Sequence, residues 1–477
     1  MQLTIPLSRR GEPLFRQVYL RLREGILSGD LRGGEKLPST RDLAEQLGIS
    51  RTVALLAYEQ LLAEGFAAAQ AGSGTYVASA MKVGRAAALD RCAQIRLSRF
   101  GGLAAAAWTR MNFPRRATPA LPYDFAYGRS DLGAFPFEMW RRTLLRCARK
   151  APVSEHDYGP AGGNARLREA ISNHLRRSRA VVSEPSQVIV VNGSQQALDL
   201  IARVLFRKSE RVAVEDPSYQ GTTEVLRAAG VRLLALPVDR EGIDPAKMPA
   251  NARIVFVTPS HQYPTGAILP LARRLALLDW AKRQNAVIVE DDYDGEFRYE
   301  GQPLESLQGL DREGRVLYIG TFSRTIFSAL RIGYLIAPKS LVTAFAAAKW
   351  LCDRHTASLE QEALAEFIAN GMYERHLRRM RRKNAARRKA LLEAIERHLG
   401  NRVEVTGDGA GAHLVLWPKR RVEEDGVIAA AAARGVRVYG ISPYCLKKPA
   451  RTGILVGYSR TSEAQIREGI RRLGEVL

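Results

Sequence analysis

From about Tyr123 onward, short apolar runs alternate with helical patterns, and this alternation constrains the fold more than any other feature of the chain. The runs fall at residues 188–191, 211–214, 253–257, 287–290, 316–319 and 334–337. Strands that alternate with helices come back parallel to one another, and the helices cover both faces of the sheet they form. The pattern predicts an α/β body built on a large, mostly parallel sheet. From about residue 379 to the last residue, helices and strands mix again and predict a smaller α/β lobe.

The first eighty residues follow a different plan, with short helices and then a small hairpin over residues 12–78. In Leu37-Pro38-Ser39-Thr40-Arg41-Asp42, Ser39 can cap the free N–H groups of a helix, and Asp42 stands where a reciprocal capping partner belongs. Gly48-Ile49 then makes a turn, and Ser50 caps a second helix that opens with Arg51-Thr52-Val53. Two capped helices joined by a Gly-containing turn describe a helix-turn-helix, whose second helix enters the major groove N-terminus first. That geometry aims Arg51 and Thr52 at DNA. Residues 66–77, with Gly72-Ser73-Gly74 at the tip, suit a β-hairpin wing whose glycines let backbone approach phosphates. Leu43, Leu47, Val53, Leu56 and Leu61 read as the core of this segment. A small helical domain made for protein contact is the alternative.

Charge separates these regions. Residues 1–80 hold nine Lys/Arg against eight Asp/Glu, whereas residues 81–120 hold eight against one. The chain as a whole carries a formal +23, which points to a polyanionic partner. Further basic clusters at 141–150, 176–177 and 375–389 extend the expected phosphate-facing surface. Residues 79–120 are rich in Ala and Arg and read as a basic linker with one helix at 88–97, which divides the chain into a reader (1–78), a linker (79–120) and a body (121–477). The four cysteines are scattered without C-x-x-C spacing, so neither a disulfide framework nor a zinc site is expected. No signal-peptide core and no apolar run approaching roughly 20 residues is present, so a cytoplasmic chain without membrane attachment is expected.

Two motifs in the body carry chemistry. Asn192-Gly193-Ser194-Gln195-Gln196-Ala197-Leu198 follows a strand and opens a helix, whose free N–H groups and positive dipole end suit an anion. An ordinary strand-to-helix turn has the same composition. Glu290-Asp291-Asp292-Tyr293-Asp294 ends another strand in carboxylates, one of which can pair with a protonated ring nitrogen. A metal site is the competing reading of that acidic cluster, but it lacks the spacing of a calcium loop.

Taken together, these residues resemble the MocR-type subfamily of the GntR regulators, in which a winged helix is fused to a fold-type I aminotransferase-like domain. The reader matches in Pro13-Leu14-Phe15, Leu37-Pro38-Ser39-Thr40-Arg41, Ala57-Tyr58 and Gly72-Ser73-Gly74-Thr75-Tyr76-Val77. The body matches in Tyr158-Gly159-Pro160, Glu215-Asp216-Pro217-Ser218-Tyr219, Thr258-Pro259-Ser260-His261-Gln262-Tyr263-Pro264-Thr265-Gly266 and Gly320-Thr321-Phe322-Ser323-Arg324-Thr325. The resemblance implies that Arg41, Ser50, Arg51, Thr52 and the wing residues Gly72, Ser73 and Gly74 contact operator DNA. It also implies a pyridoxal 5'-phosphate (PLP) pocket. There Ser194, Gln195, Thr321 and Arg331 hold the phosphate, Tyr158 reaches it from a partner in a head-to-tail homodimer, Tyr219 stacks on the ring, Asp291 pairs with its nitrogen, and Tyr293 bonds its phenolic oxygen.

Two positions depart from the pattern. Arg324 stands where such proteins carry the lysine whose amine joins the PLP aldehyde. A guanidinium stays charged at any working pH and has no lone pair to offer, so covalent attachment is not expected. Leu455 stands where amino-acid-processing relatives carry an arginine that clamps the substrate carboxylate. Arg324 is then a non-covalent anion clamp, or a mark of a relic pocket, or a replaced lysine. The expected function is a DNA-binding transcriptional regulator, not an enzyme, whose body senses a small molecule. A PLP enzyme with an accessory DNA-binding domain and a ligand-blind DNA binder are the rival readings.

Overall fold

A computed structural model describes residues 6–8, 11–79, 96–111, 121–150, 157–207, 209–299 and 304–477. The chain falls into two compact units, Met1–Arg96 and Leu97–Leu477.

In the first unit the helices are Leu14–Ser28, Thr40–Leu47 and Arg51–Ala63, followed by the antiparallel strands Ala67–Gln70 and Gly74–Val77. The Ser39 side chain accepts from the Asp42 N–H and the Ser50 side chain from the Val53 N–H, each satisfying an orphan donor of a helix start. The reciprocal bond expected of Asp42 is not formed among the described residues. Gly48 closes the first of these helices in the left-handed region (φ 63°), where a side chain would be strained. The third helix buries Ala54, Ala57, Tyr58 and Leu61, one face at 3.6-residue spacing. Leu56, expected in this core, therefore lies off that face and is exposed, as is Leu55. Leu43 and Leu61 are fully buried, while Val53 and Leu47 pack against the core from its edge. The Tyr58 hydroxyl donates to the Pro38 carbonyl at 2.8 Å and ties the third helix to the loop before the second.

The second unit opens with a helix, Arg99–Arg110, capped by Ser98. It lies within the expected linker. Of the helix expected at 88–97, residues 88–95 lie outside the described residues, and 96–98 are not helical. Arg110 anchors it by forking onto the buried Glu224 carboxylate (2.7 Å), and Gln220 donates to the Arg110 carbonyl.

The body's main sheet has eight strands. From one edge they run Val188–Val191, Gly333–Ile336, Val316–Thr321, Val287–Asp292, Ile254–Val257, Arg211–Asp216, Arg232–Asp239 and Gly242–Ile243. The five from Val316–Thr321 to Arg232–Asp239 are parallel, while Gly333–Ile336 is antiparallel to both neighbours. The expected mostly parallel sheet is present, with Arg232–Asp239 and Gly242–Ile243 as added strands. Clusters on its two faces, one including Leu167 and Tyr334 and another including Leu198 and Leu335, form the core. The small lobe is a four-stranded antiparallel sheet of Val403–Thr406, His413–Pro418, Ile454–Gly457 and Tyr439–Gly440. The long helix Met372–His398 joins the lobes, burying Tyr373 and Leu377 in one core and Leu391 and Ile395 in the other. Among the described residues no helix is long and apolar enough to cross a membrane.

Candidate functional site

In parallel sheets, ligands gather at the carboxyl ends of the strands, because loops and helix N-termini converge there. Here those ends carry Asp291, Asp292 and Thr321, and beside them the helix Ser194–Leu205 begins. Gly193 precedes that helix at φ 81° without a side-chain cap, so its first N–H groups have no side-chain acceptor. A Cβ at Gly193 would stand 2.8 Å from Arg331 Nη2, and one at Gly333 would stand 3.0 Å from Gly193 Cα. The two glycines let the helix start and the Arg331 guanidinium close on one corner. Arg331, in the left-handed region at φ 53°, donates to the Asn192 carbonyl at 2.8 Å. Thr321 Oγ1 accepts from the Ser323 N–H at 3.1 Å. Ser194, Thr321 and Arg331 thus share a corner suited to a phosphate.

Tyr219 and Gln195 meet over Gly221, where an added Cβ would come 2.4 Å from the tyrosine ring and 2.6 Å from Gln195 Oε1. The Tyr219 ring also stands edge-on to Tyr263 at 5.7 Å.

The carboxylates after Val289 separate by their partners. Glu290 accepts the Leu307 and Gln308 N–H groups, each at 3.0 Å. Asp292 accepts Arg179 and the Tyr318 hydroxyl, each at 2.6 Å. Asp294 pairs with His261 at 3.0 Å. Asp291 alone of the four makes no hydrogen bond among the described residues, and its Oδ1 is buried and unpartnered. Burial, reinforced by the Asp292 charge, pushes the Asp291 carboxyl up to about 7. A buried carboxylate without a donor is costly, so it calls for a ligand that brings one, and a pyridine N–H does.

Arg324 is half-buried and makes no hydrogen bond or ion pair among the described residues. Its guanidinium carbon lies 5.5 Å from the Tyr293 ring centroid, a cation–π contact, and a Cβ at Gly128 would stand only 2.7 Å from Nη1. With Tyr293, Asp294 and His413 it lines one small cavity. The Tyr293 hydroxyl meets His261 Nδ1 at 3.0 Å. Tyr158 lies apart from these residues: it is 72% exposed, with the Arg354 guanidinium 4.5 Å over its ring.

Sequence reasoning missed His261, Asp294 and His413, whose donor atoms lie within 4.8 Å of one another in full burial. Burial draws the His261 pKa down, but Asp294 outweighs it and the net shift is upward. His413 is pushed well down by burial, with His261 and Arg324 adding to the shift. The grouping has metal-ligand chemistry, yet the neighbouring guanidinium works against a divalent cation. Leu455 is fully buried against Tyr263, Tyr293 and Tyr444, and Arg451 is engaged by Glu404 and Trp417.

On the first unit, Arg41, Ser50, Arg51 and Thr52 are all exposed at the starts of the second and third helices. Arg41 and Arg51 make no hydrogen bond or ion pair among the described residues. Gly72 and Gly74 take positive φ (75° and 121°) at the hairpin tip, with Ser73 exposed between them. Lys36, not anticipated, lies 5.8 Å over the Tyr76 ring and adds a cation to the wing.

This geometry agrees with what the chain is similar to. Residues 124–473 match the family model for aminotransferase class I and II, and residues 14–77 match that for bacterial regulatory proteins of the gntR family. The probable rhizopine catabolism regulatory protein MocR of Rhizobium meliloti is 39% identical over 97% of this chain and 93% of its own length. The chain belongs to the MocR-type GntR regulators. TauR of Rhodobacter capsulatus, an HTH-type transcriptional regulator, is 34% identical over 95% of this chain and 94% of its own. Among solved structures, the α-aminoadipate aminotransferase LysN of Thermus thermophilus, complexed with N-(5'-phosphopyridoxyl)-L-leucine, matches with a TM-score of 0.70. It is 28% identical and covers 78% of this chain and 96% of its own. As a member of this family, the chain is a DNA-binding transcriptional regulator with a fold-type I aminotransferase body, a fold whose members bind PLP.

Proposed function

We propose that the body of this regulator is a receptor without catalytic activity, which holds PLP or another small anion non-covalently and biases how the protein engages its operator. One observation carries this reading: Arg324 places a half-buried, unpaired guanidinium in a pocket that keeps a phosphate corner and an unpartnered Asp291. A cation so placed attracts an anion but cannot bond to an aldehyde.

The residues around the pocket carry the donors and acceptors that PLP calls for, apart from the amine of the covalent link. Ser194, Gln195, Thr321 and Arg331 would hold its phosphate. Tyr219 would lie against the ring, and Asp291 would keep the ring nitrogen protonated, which is what lets bound PLP withdraw electrons. Tyr293 would offer its hydroxyl to the phenolic oxygen, and Arg324 would supply N–H donors where an enzyme supplies an amine. Tyr158, exposed on its own chain, would reach the phosphate of the partner in a head-to-tail homodimer. With Leu455 in place of an arginine, nothing at that position grips an amino acid's carboxylate.

On DNA, Arg41, Ser50, Arg51 and Thr52 would face the major groove and Gly72, Ser73 and Gly74 the adjoining phosphates. A ligand that favours one arrangement of the reader domains changes which half-site spacing fits, a population shift. The test is footprinting and affinity on promoter DNA with and without PLP, alongside calorimetric titration of PLP. A shift in affinity or footprint on PLP addition is expected. Measurable PLP binding with identical affinity and footprint would defeat the sensing half, and absence of binding by both PLP and pyridoxamine phosphate would favour a relic pocket.

A further inference from the structure

The helix Met372–His398 carries ten Lys/Arg against three Asp/Glu, a net of +7, whereas residues 121–477 together hold 55 against 40, a net of +15. Nearly half the body's excess charge therefore sits on one helix. Its C-terminal cations are mostly spent within the protein. Lys383 and Arg387 pair with Asp131, and Arg388 pairs with Asp408. The N-terminal half differs. Arg375, Arg378, Arg379 and Arg382 follow i, i+3, i+4, i+7 spacing, share one face, and are all exposed. With Arg381 they line a single concavity. Arg375 reaches only the Asn370 carbonyl and Arg379 only His376 Nδ1, while Arg378 and Arg382 make no hydrogen bond or ion pair among the described residues. Glu374, on the same helix, is directed to Arg381, which also donates to the Glu296 carbonyl.

A neighbouring helix end widens the patch. The His174 ring packs edge-on to Tyr373 at 5.2 Å, and burial chiefly, with the Arg177 and Arg381 charges adding, lowers its pKa to about 4. The exposed Arg176 and Arg177 stand one turn or less beyond His174, at the end of Ala165–Arg179. Like charges three and four residues apart on a helix repel, so such a face is unfavourable unless a polyanion relieves it.

We propose that this arginine face binds the phosphate backbone of duplex DNA, as a second electrostatic contact besides the winged helix. The inference rests on the regulator reading. The reader segment nearly balances its nine Lys/Arg with eight Asp/Glu, so cations elsewhere in the chain, in residues 81–120 and on this face, can add to the counterion-release term of DNA affinity. Every side chain on the face is arginine, whose planar fork matches phosphate oxygens two at a time.

The test is a salt titration of the full-length protein on a mixed-sequence duplex of about 60 base pairs, because phosphate contacts need no operator. Replacing Arg375, Arg378, Arg379 and Arg382 by Ala should make the slope of log K against log salt shallower by about 0.9 for each phosphate no longer neutralised, thus by about 2–4 in all. The pair Arg378→Ala and Arg382→Ala serves if the quadruple variant does not fold, and should move the slope by about 2. Arg378→Lys with Arg382→Lys should keep most of the slope, and Arg240→Ala, elsewhere on the body, should leave it unchanged. Wild-type and variant slopes that coincide would overturn the inference and leave the regulator reading intact. A wild type that does not bind the duplex at all would sink both.

Discussion

The two ends of the body's pocket have been treated differently. At one end, Ser194, Thr321 and Arg331 are drawn together over Gly193 and Gly333 into a corner that still suits a phosphate. At the other, Arg324 puts a fixed positive charge against Tyr293 and Gly128, at the position proposed to match the amine that an enzyme of this fold needs. Anion recognition depends on backbone N–H groups and an arginine, and both remain. Bond formation depends on one nitrogen lone pair, and the side chain at 324 has none to give. On the proposed reading, position 324 is where binding parts from covalent chemistry.

The sharpest way to break this contrast is to return the amine. Arg324→Lys should convert the pocket from one that gives no borohydride-stable adduct with PLP to one that gives a full adduct on the peptide containing position 324, read by mass spectrometry. No adduct in that variant would mean the rest of the pocket has lost its geometry. At the opposite end, Arg331→Ala removes a charge-assisted donor and should weaken PLP binding by about 1.5–3 kcal/mol, or roughly tenfold to a hundredfold, by calorimetry. An unchanged dissociation constant would place the phosphate elsewhere.

A smaller effect concerns the ring's substituent. The ammonium of pyridoxamine phosphate would meet Arg324 as a like charge, whereas the PLP aldehyde would not, so PLP should bind several-fold more tightly in a competition titration. Equal affinities would remove Arg324 from the contact.

The smallest effect is on stability. Asp291 has a folded-state carboxyl raised to about 7, chiefly by burial, against about 3.9 when unfolded. A raised carboxyl contributes stability that is fully present below the unfolded value and is lost as pH rises through the folded one. That carboxyl's contribution should therefore be lost between about pH 4 and pH 7, a trend that Glu215, Glu290 and Glu296, raised in the same way, also feed. The buried His174, His376 and His413, whose depressed pKa values favour folding as pH rises, oppose it. Asp291→Asn should lessen that decline and raise Tm at pH 8 by a few degrees. A variant less stable than wild type at pH 8 would mean the carboxylate is already paired.

Much of this was readable before the fold was known, for physical reasons. The apolar runs marked six of the sheet's strands to within two residues, since buried strands need such runs. Arg232–Asp239 escaped because it is only partly buried and contains Pro237, which argues against a strand. Ser39 and Ser50 announced helix starts because capping is local. Leu56 was misplaced because leucine composition does not say which stripe of a helix faces inward, and Ala54, Ala57 and Tyr58 take that stripe. The choice of Asp291 among four neighbouring carboxylates has no local signal, as it depends on where Arg179, His261 and the Leu307 backbone lie in space. His413, more than a hundred residues from His261, reaches the site only through the small lobe's sheet.

The most direct test of the account is the intact mass of the wild-type protein after saturation with PLP and reduction with borohydride. The expected result is the mass of the bare polypeptide, with PLP binding seen by titration before reduction. A stoichiometric gain of one pyridoxyl group on the body would contradict it.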